Sequence, residues 1–214
     1  MAPRLPALRE LIRERPHDAG CRSIYADVLL ERGDPRGLFI QAQQSGQHSL
    51  AASLLETYRA HFVHPLGLHA DVTFVDGFID AWRTSPGEFR SAGRRLLHTW
   101  PLRSLTVAHA RQVDVRYVLE STGLARVSEL SFPHLRAGGL QFLATTTLPP
   151  LRSLHVSGAL MQSEIEALPP TPFARRLIAS ARSFGTDRFA RWLEERFESP
   201  FAAITRSDGE SPAP

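Results

Sequence analysis

Three stretches in the C-terminal half decide the fold. Residues 102–107 read LRSLTV, residues 127–132 read VSELSF and residues 151–156 read LRSLHV. Apolar and polar side chains alternate in each stretch, which is typical of a β-strand with one buried face. The pattern recurs after 25 residues and then after 24. This nearly constant spacing predicts a repeated structural unit in place of a single irregular sheet.

Helical patterns follow the strands, so each unit consists of a strand and a helix. These patterns lie at residues 115–120, 139–146 and 162–168. A unit of this length resembles a leucine-rich repeat, and this half of the chain resembles a short array of at least three such units. Residues 177–179 are a candidate fourth strand, and we expect an amphipathic helix at residues 186–197 to cap the array.

The array lacks one usual feature of leucine-rich repeats. An asparagine commonly hydrogen-bonds the turn after each strand, whereas Ala110, Leu135 and Ala159 stand at those positions here. We therefore expect other groups to satisfy the turns and the arc of the array to be irregular. A conventional α+β domain with a mixed sheet is the alternative interpretation.

The alternation within the strands also predicts a surface. Every second residue points to the core, and the residues between them point outward. The outward residues are small and polar with flanking arginines, which suits a folded partner that presents carboxylates. The residues that we predict to bind a partner are Arg103, Thr106, Glu129, Ser131, Arg152 and His155. The alternative is a solvated sheet face without a partner.

The N-terminal 64 residues predict four helices joined by short loops. Pro16 ends the first helix, Asp18 caps the second, and Asp34 with Pro35 begins the third. The fourth helix spans residues 49–62. Each helix is expected to have one apolar face. In the first helix this face contains Leu5, Leu8, Leu11 and Ile12, and in the second Cys21, Ile24, Tyr25, Val28 and Leu29. In the third it contains Leu38, Phe39, Ile40 and Gln43, and in the fourth Leu50, Leu54, Leu55 and Tyr58.

A charged motif runs through the second and third helices. Residues 22–27 read RSIYAD and residues 31–37 read ERGDPRG. Within about residues 5–45, the chain resembles the bacterial repeat-companion domain, a short helical module that usually precedes leucine-rich or other repeats. Val28 and Leu38 stand where that family usually has tryptophan and glutamate. The resemblance implies a helical module that leads into repeats, and it implies no established activity.

The motif has two interpretations. Its charged residues, Arg22, Asp27, Glu31, Arg32, Asp34 and Arg36, could form a binding face for a charged partner. The preferred interpretation is internal pairing, since Asp27 and Glu31 lie one turn apart and Asp34 and Arg36 stand at a helix start. Cys21 lies on an apolar helix face, so we expect a small buried side chain there and no nucleophile.

The segment between the two halves predicts a hairpin and a helix. Asp76 and Gly77 stand at the centre of the alternating residues 72–82, and this pair is the strongest short-range signal for a hairpin turn. Ser85 and Glu88 predict a capping box, and the helix that follows ends before Pro101. Its buried face is expected to contain Phe89, Ala92, Leu96 and Leu97.

Composition limits the classes of function. The chain has 214 residues, a formal net charge of +3 and a single cysteine, and all 25 of its basic residues are arginine. It is too apolar for a disordered chain, it lacks the cysteines of a metal cluster, and it has no apolar run of about 20 residues that would span a bilayer. His61, His64 and His69 are not spaced as metal ligands. We expect no metal, no cofactor, no signal peptide and a cytoplasmic location.

These observations combine into one prediction. The fold class is α+β or α/β, with a helical module at residues 1–64, a hairpin and linking helix at 65–100, the array with its C-terminal helix at 101–200, and a flexible tail at 201–214. The function is non-enzymatic recognition of a protein partner by an adaptor, scaffold or sequestering regulator. The alternatives are nucleic-acid binding by arginine clusters, such as Arg94 with Arg95 and Arg175 with Arg176, and an enzyme without a recognisable motif.

Overall fold

The N-terminal part of the molecule is helical, as predicted. The computed structural model describes residues 5–15, 18–63, 71–136, 138–157 and 177–179. The first four helices are α1 (Leu5–Glu14), α2 (Ala19–Glu31), α3 (Arg36–Gln44) and α4 (His48–Val63). The Asp18 side chain accepts a hydrogen bond from the Cys21 backbone N–H at 3.0 Å, which confirms the predicted cap of α2. This bond lowers the pKa of the Asp18 carboxyl.

The remaining elements alternate between strand and helix. They are β1 (Asp71–Val75), β2 (Phe78–Thr84), α5 (Pro86–Thr99), β3 (Ser104–Val107), α6 (Gln112–Leu119), a 3₁₀ turn (Leu124–Arg126), β4 (Glu129–Phe132), α7 (Gly139–Thr145), β5 (Ser153–Val156) and β6 (Leu177–Ala179). The described strands form one sheet in sequence order. The first pair is antiparallel, and all later pairs are parallel. The predicted mixed fold class is therefore correct, and the candidate strand at residues 177–179 is confirmed.

Several predicted apolar side chains are largely exposed. Leu11 is 38% exposed, Ile24 and Leu38 are each 48% exposed, and Leu50 and Tyr58 on α4 are 46% and 39% exposed. These five side chains lie outside the faces that their helices bury against neighbouring elements, so they remain partly in solvent. The third helix also begins one residue later than predicted. Pro35 precedes it, and the Asp34 side chain accepts from the Arg36 backbone N–H at 2.9 Å.

Aromatic rings join the helical module to the hairpin. Phe39 packs against Phe62 and Phe74, with ring centroids 5.3 and 5.9 Å away. Phe78 packs against Tyr25 on α2 and against Trp100 after α5. All of these rings belong to a hydrophobic core that continues into the leucines of the parallel strands. The hairpin therefore packs on the helices on one side and on the array on the other.

The hairpin turn lies at the predicted residues. Asp76 and Gly77 have φ angles of 47° and 78°, so both occupy the left-handed region that a tight turn between β1 and β2 requires. Gln43 on α3 holds this turn from outside: its side-chain oxygen accepts from the Gly77 backbone N–H at 2.6 Å, and its amide donates to the Phe74 carbonyl at 3.3 Å. These two hydrogen bonds hold the turn against α3.

In the turns that lack asparagine, backbone N–H groups donate hydrogen bonds to carbonyls of the next unit. The His109 N–H donates to the Pro133 carbonyl at 2.9 Å, and the Leu135 N–H donates to the Ser157 carbonyl at 2.8 Å. His109 and His134 occupy equivalent places in successive units and have φ angles of 59° and 58°. Their rings stack with centroids 4.8 Å apart. These two histidines were not singled out from the sequence, and they shape the turns in this structure.

The linking helix α5 begins with the predicted capping box. Ser85 Oγ accepts from the Glu88 N–H at 3.3 Å, and Glu88 Oε2 accepts from the Ser85 N–H at 2.9 Å. The expected apolar face of Phe89, Ala92, Leu96 and Leu97 is buried. We expect Ser85→Ala to lower the free energy of unfolding by about 1 kcal/mol, because it leaves a helix-terminal N–H without its acceptor.

Urea denaturation followed by circular dichroism measures this effect. The control is Ser91→Ala, which changes an exposed serine inside the same helix and is expected to cause no destabilisation. An equal loss of stability in both variants would show that the cap does not stabilise α5.

Some predictions concern residues outside the described ranges. These are the helix at residues 162–168, the capping helix at 186–197, the tail at 201–214, and the side chains of Ala159, His64, His69, Arg175 and Arg176. No helix in the part of the chain that the structure describes combines the length and apolar character needed to cross a membrane.

Candidate interaction surface

The parallel strands place equivalent residues side by side. Leu105 pairs with Leu130, and Leu130 pairs with Leu154 in the adjacent strand. All three leucines are fully buried. Core residues of α6 and α7, Val115, Val118, Leu140 and Leu143, belong to the same cluster. The helices therefore cover the leucine side of the sheet, as the alternation predicted.

The other side of the sheet forms two polar rows in register. One row is Ala81, Ser104, Glu129 and Ser153, and the other is Arg83, Thr106, Ser131 and His155. We call these eight residues the outward face. Arg83 and His155 are exposed, and the other six are half-buried. Three of the predicted binding residues, Thr106, Ser131 and His155, are thus brought together in one row.

Arg83 was missed by the sequence analysis. It lies in β2, which was treated as part of a separate hairpin, although β2 pairs with β3 and extends the sheet of the array. In the structure Trp82 and Thr84 are buried on either side of exposed Arg83, as in the later strands, but the sequence signal was weak because polar Thr84 stands where those strands have an apolar residue. Arg83 makes no side-chain hydrogen bond or ion pair within the described residues, so its guanidinium is available at one end of the row.

Two predicted binding residues pair with each other. Arg103 donates to Glu129 on the outward face and to both carboxylate oxygens of Asp80, at 3.2 and 2.9 Å. The hydrogen bond with Asp80 is the main reason why the pKa of Arg103 is raised. Much of the charge of Arg103 and Glu129 is therefore satisfied internally, and these two residues are less available to a partner than predicted.

Arg152 is the remaining predicted residue. It directly precedes β5, and its side chain is exposed. Within the described ranges it forms no ion pair and no side-chain hydrogen bond. The structure thus separates the six predicted residues into a polar row of three, an internal ion pair, and one exposed arginine at the edge of the sheet where the strands begin.

The motif arginines have structural roles. Arg22 is 7% exposed, forms an ion pair with Asp76 in the hairpin turn, and lies 5.5 Å above the Phe78 ring. Arg36 is 4% exposed, donates to the Phe62 carbonyl at 3.1 Å and lies 5.0 Å from the Trp100 ring centroid. Burial lowers the pKa of Arg36. Arg22 is therefore paired internally, whereas the Arg36 guanidinium contacts a carbonyl and a ring and not the Asp34 carboxylate beside which it was predicted.

Two of the three acidic motif residues, Asp27 and Asp34, also have internal partners. Asp27 accepts from the Gln41 side chain at 3.1 Å, which links α2 to α3 and differs from the predicted arrangement with Glu31 along one helix. The Asp34 carboxylate accepts from the Arg36 N–H at the start of α3 and lies 3.4 Å from His61 Nε2. A partner that requires these carboxylates would have to displace intramolecular contacts.

Cys21 lacks the environment of an activated thiol. It is half-buried, and the adjacent Asp18 carboxylate raises the pKa of its thiol, mainly through a side-chain hydrogen bond. Reactive cysteines instead have a lowered pKa near positive charge. Within the described ranges, no group of three or more histidine, cysteine, aspartate or glutamate side chains is arranged to hold a metal ion.

Comparison with known proteins adds no relative. No family model, no curated protein and no solved structure matches this chain. The resemblances to the repeat-companion domain and to leucine-rich repeats therefore stay predictions.

Proposed function

We propose that this chain is a non-enzymatic protein-interaction module, and that it binds a folded protein partner through the outward face. In cellular terms it is an adaptor, scaffold or sequestering regulator of the bacterial cytoplasm. The row formed by Arg83, Thr106, Ser131 and His155 carries the proposal. It aligns two small hydroxyl side chains between two exposed nitrogen-bearing ones across four adjacent strands.

The polar character of this side of the sheet supports the proposal. Sheets of parallel strands are usually covered on both sides, because βαβ connections place helices on their faces. Here the burial of β3 and β4 alternates strictly between a buried leucine side and a half-buried polar side. Repeating strand–helix arrays commonly use one extended side of their sheet to bind partners. The resemblance to a repeat-companion domain followed by repeats agrees with the same function.

The chemistry of the face favours a partner with surface carboxylates. Small side chains at Thr106 and Ser131 let a partner approach closely, and their hydroxyls can donate or accept hydrogen bonds. Arg83 can bind a carboxylate with two parallel N–H bonds. Because Glu129 is already paired with Arg103, the face presents no unpaired carboxylate within the described rows that would repel such a partner.

A tagged pull-down from the native cell extract, with and without nuclease, tests the function. We expect one protein in stoichiometric amount, identified by mass spectrometry, and retained after nuclease treatment. Loss of all captured material with nuclease would instead favour nucleic-acid binding. The absence of any stoichiometric protein in both samples would contradict the proposal.

The double variant Thr106→Glu and His155→Glu tests the face itself. Both side chains point away from the core, so we expect normal folding, but capture of the partner should fall by about tenfold because two carboxylates now face the partner's own. The matched control is Thr145→Glu with His48→Glu, which adds the same charges at exposed helical positions. Undiminished capture by the folded face variant would exclude the outward face as the binding surface.

A further inference from the structure

A cavity of about 580 Å³ lies beside the outward face, at the edge of the sheet where β3, β4 and β5 begin. Its charged lining residues are Arg13, Arg22, Arg103, Arg126, Arg152, Asp76 and Asp80. We call this cavity the arginine cleft. The described residues of the lining thus include five arginines and two aspartates, an excess of positive charge. Residues from α1, α2, the hairpin and three successive units of the array contribute to it.

Both aspartates of the arginine cleft are already paired. Asp76 forms an ion pair with Arg22, and Asp80 forms one with Arg103 at 2.9 Å. Arg13 forms an ion pair with Glu10 on its own helix and donates to the His98 carbonyl. These contacts fix the positions of three guanidinium groups in the wall, and they consume the negative charge that the lining provides.

The remaining cations have no such partners. Arg126 and Arg152 are exposed, and neither forms an ion pair or a side-chain hydrogen bond within the described ranges. The Nε atom of Arg13 is buried and has no hydrogen-bond partner among the described residues. Guanidinium groups gathered around one cavity repel one another, so a ligand with negative charge would be stabilised there.

The backbone register places a serine between two arginines of the cleft. The Arg152 N–H donates to the Ser128 carbonyl at 2.7 Å, and the Ser128 N–H donates to the Arg103 carbonyl at 3.0 Å. Ser128 therefore stands between Arg103 and Arg152 at the start of the strands, and it also lines the cleft. Its short hydroxyl side chain carries no charge, so this part of the lining adds no repulsion toward a carboxylate.

We infer that the arginine cleft binds the carboxylates of an acidic segment in the partner protein. This inference rests on the proposed function and adds the chemistry of the partner. Arg103 connects the two surfaces, because it contacts Asp80 in the cleft and Glu129 on the outward face. A partner bound to the outward face could thus place acidic side chains in the cleft at the same time.

The lining favours a peptide over a nucleic acid. Among the described residues that line the cleft there is no aromatic ring, whereas single-stranded nucleic acid is usually held by base stacking on aromatic side chains. Separate carboxylates on flexible side chains can reach Arg126 and Arg152, the two lining arginines that have no partner within the described ranges.

Fluorescence anisotropy with a fluorescein-labelled hexaglutamate peptide tests the inference. We expect the peptide to bind the whole chain, and the double variant Arg126→Gln and Arg152→Gln to bind it about tenfold more weakly, because charge-assisted hydrogen bonds are lost. The matched control is Arg32→Gln with Arg136→Gln, which removes the same charge from exposed arginines away from the cleft. Its affinity should stay within about twofold of the unmodified chain, because it loses only long-range attraction.

Three results would overturn the inference. They are no binding of hexaglutamate, an equal loss in the cleft and control variants, or tighter cleft-dependent binding of a labelled single-stranded oligonucleotide of matched charge. If the peptide fails to bind while Thr106→Glu with His155→Glu still lowers partner capture by about tenfold, the cleft inference is wrong and the proposed function stands. If the peptide binds as expected while the pull-down yields no protein, the proposed function is wrong.

Discussion

Gly77→Ala is expected to lower the free energy of unfolding by about 3 kcal/mol, the sum of a left-handed backbone and an overpacked contact. Gly77 has a φ of 78°, and a Cβ atom there would lie 2.0 Å from Ile40 Cγ1. Ile40 is fully buried, so it has little space to move. Gln43 also holds the turn by two hydrogen bonds, which opposes any shift of the hairpin away from α3.

Gly46→Ala separates the effect of the left-handed backbone from the effect of the overpacked contact. Gly46 has a φ of 70°, and no atom lies within 4 Å of the added Cβ. We expect this variant to lose only about 1 kcal/mol from backbone strain. Chemical denaturation followed by circular dichroism measures both variants. Equal losses would mean that the hairpin turn does not rest on Ile40, and that the helical module and the hairpin pack in another way.

Leu130→Ala is expected to have a similar effect in the array, with a loss of about 3 kcal/mol in the free energy of unfolding. Leu130 is fully buried in β4, between Leu105 and Leu154 in the neighbouring strands. Alanine would leave a cavity at the centre of the leucine side of the sheet. The surrounding strands are held in register by backbone bonds and can collapse only partly into that space.

The control for this prediction is the same substitution at an exposed site. Leu38 is 48% exposed on α3, so Leu38→Ala should change the stability by no more than about 0.5 kcal/mol. Denaturation curves give the free energy of unfolding of both variants. A small loss for Leu130→Ala would contradict the assignment of the leucine rows to the core, and the outward face would then be the buried side of the sheet.

Local chemistry explains which parts of the fold could be predicted. Asp76 and Gly77 tolerate the left-handed backbone of a turn, and Ser85 with Glu88 satisfies the N–H groups of a helix start. Both signals depend on residues within four positions of each other. The strands were predicted because alternation and the spacing of 24–25 residues repeat within the sequence itself.

Contacts between distant residues explain what could not be predicted. Arg22 and Asp76 are 54 residues apart, and Gln43 and Gly77 are 34 residues apart. No local pattern shows that these side chains meet. The exposure of Leu38 has the same origin, because helix periodicity gives the direction of a side chain relative to its neighbours and not the element that covers it.

Only part of the candidate surface could be predicted, because the rest of it depends on contacts between distant residues. Thr106, Ser131 and His155 follow directly from strand alternation once the three units are aligned. The pairing of Arg103 with Glu129 joins residues 26 positions apart and depends on side-chain reach across the sheet. The arginine cleft depends on α1 and α2 approaching the edge of the array, so it could only be found in the folded chain.

Site-specific photocrosslinking in the cells that produce the protein tests the central claim most directly. A photoreactive phenylalanine analogue at Ser131 would place the probe on the outward face, and the same residue at Val113, which is 56% exposed on α6, would place it on the helix layer. We expect one protein adduct of defined mass from position 131 and none from position 113. Adducts from position 113 alone, or none from position 131, would contradict binding through the outward face.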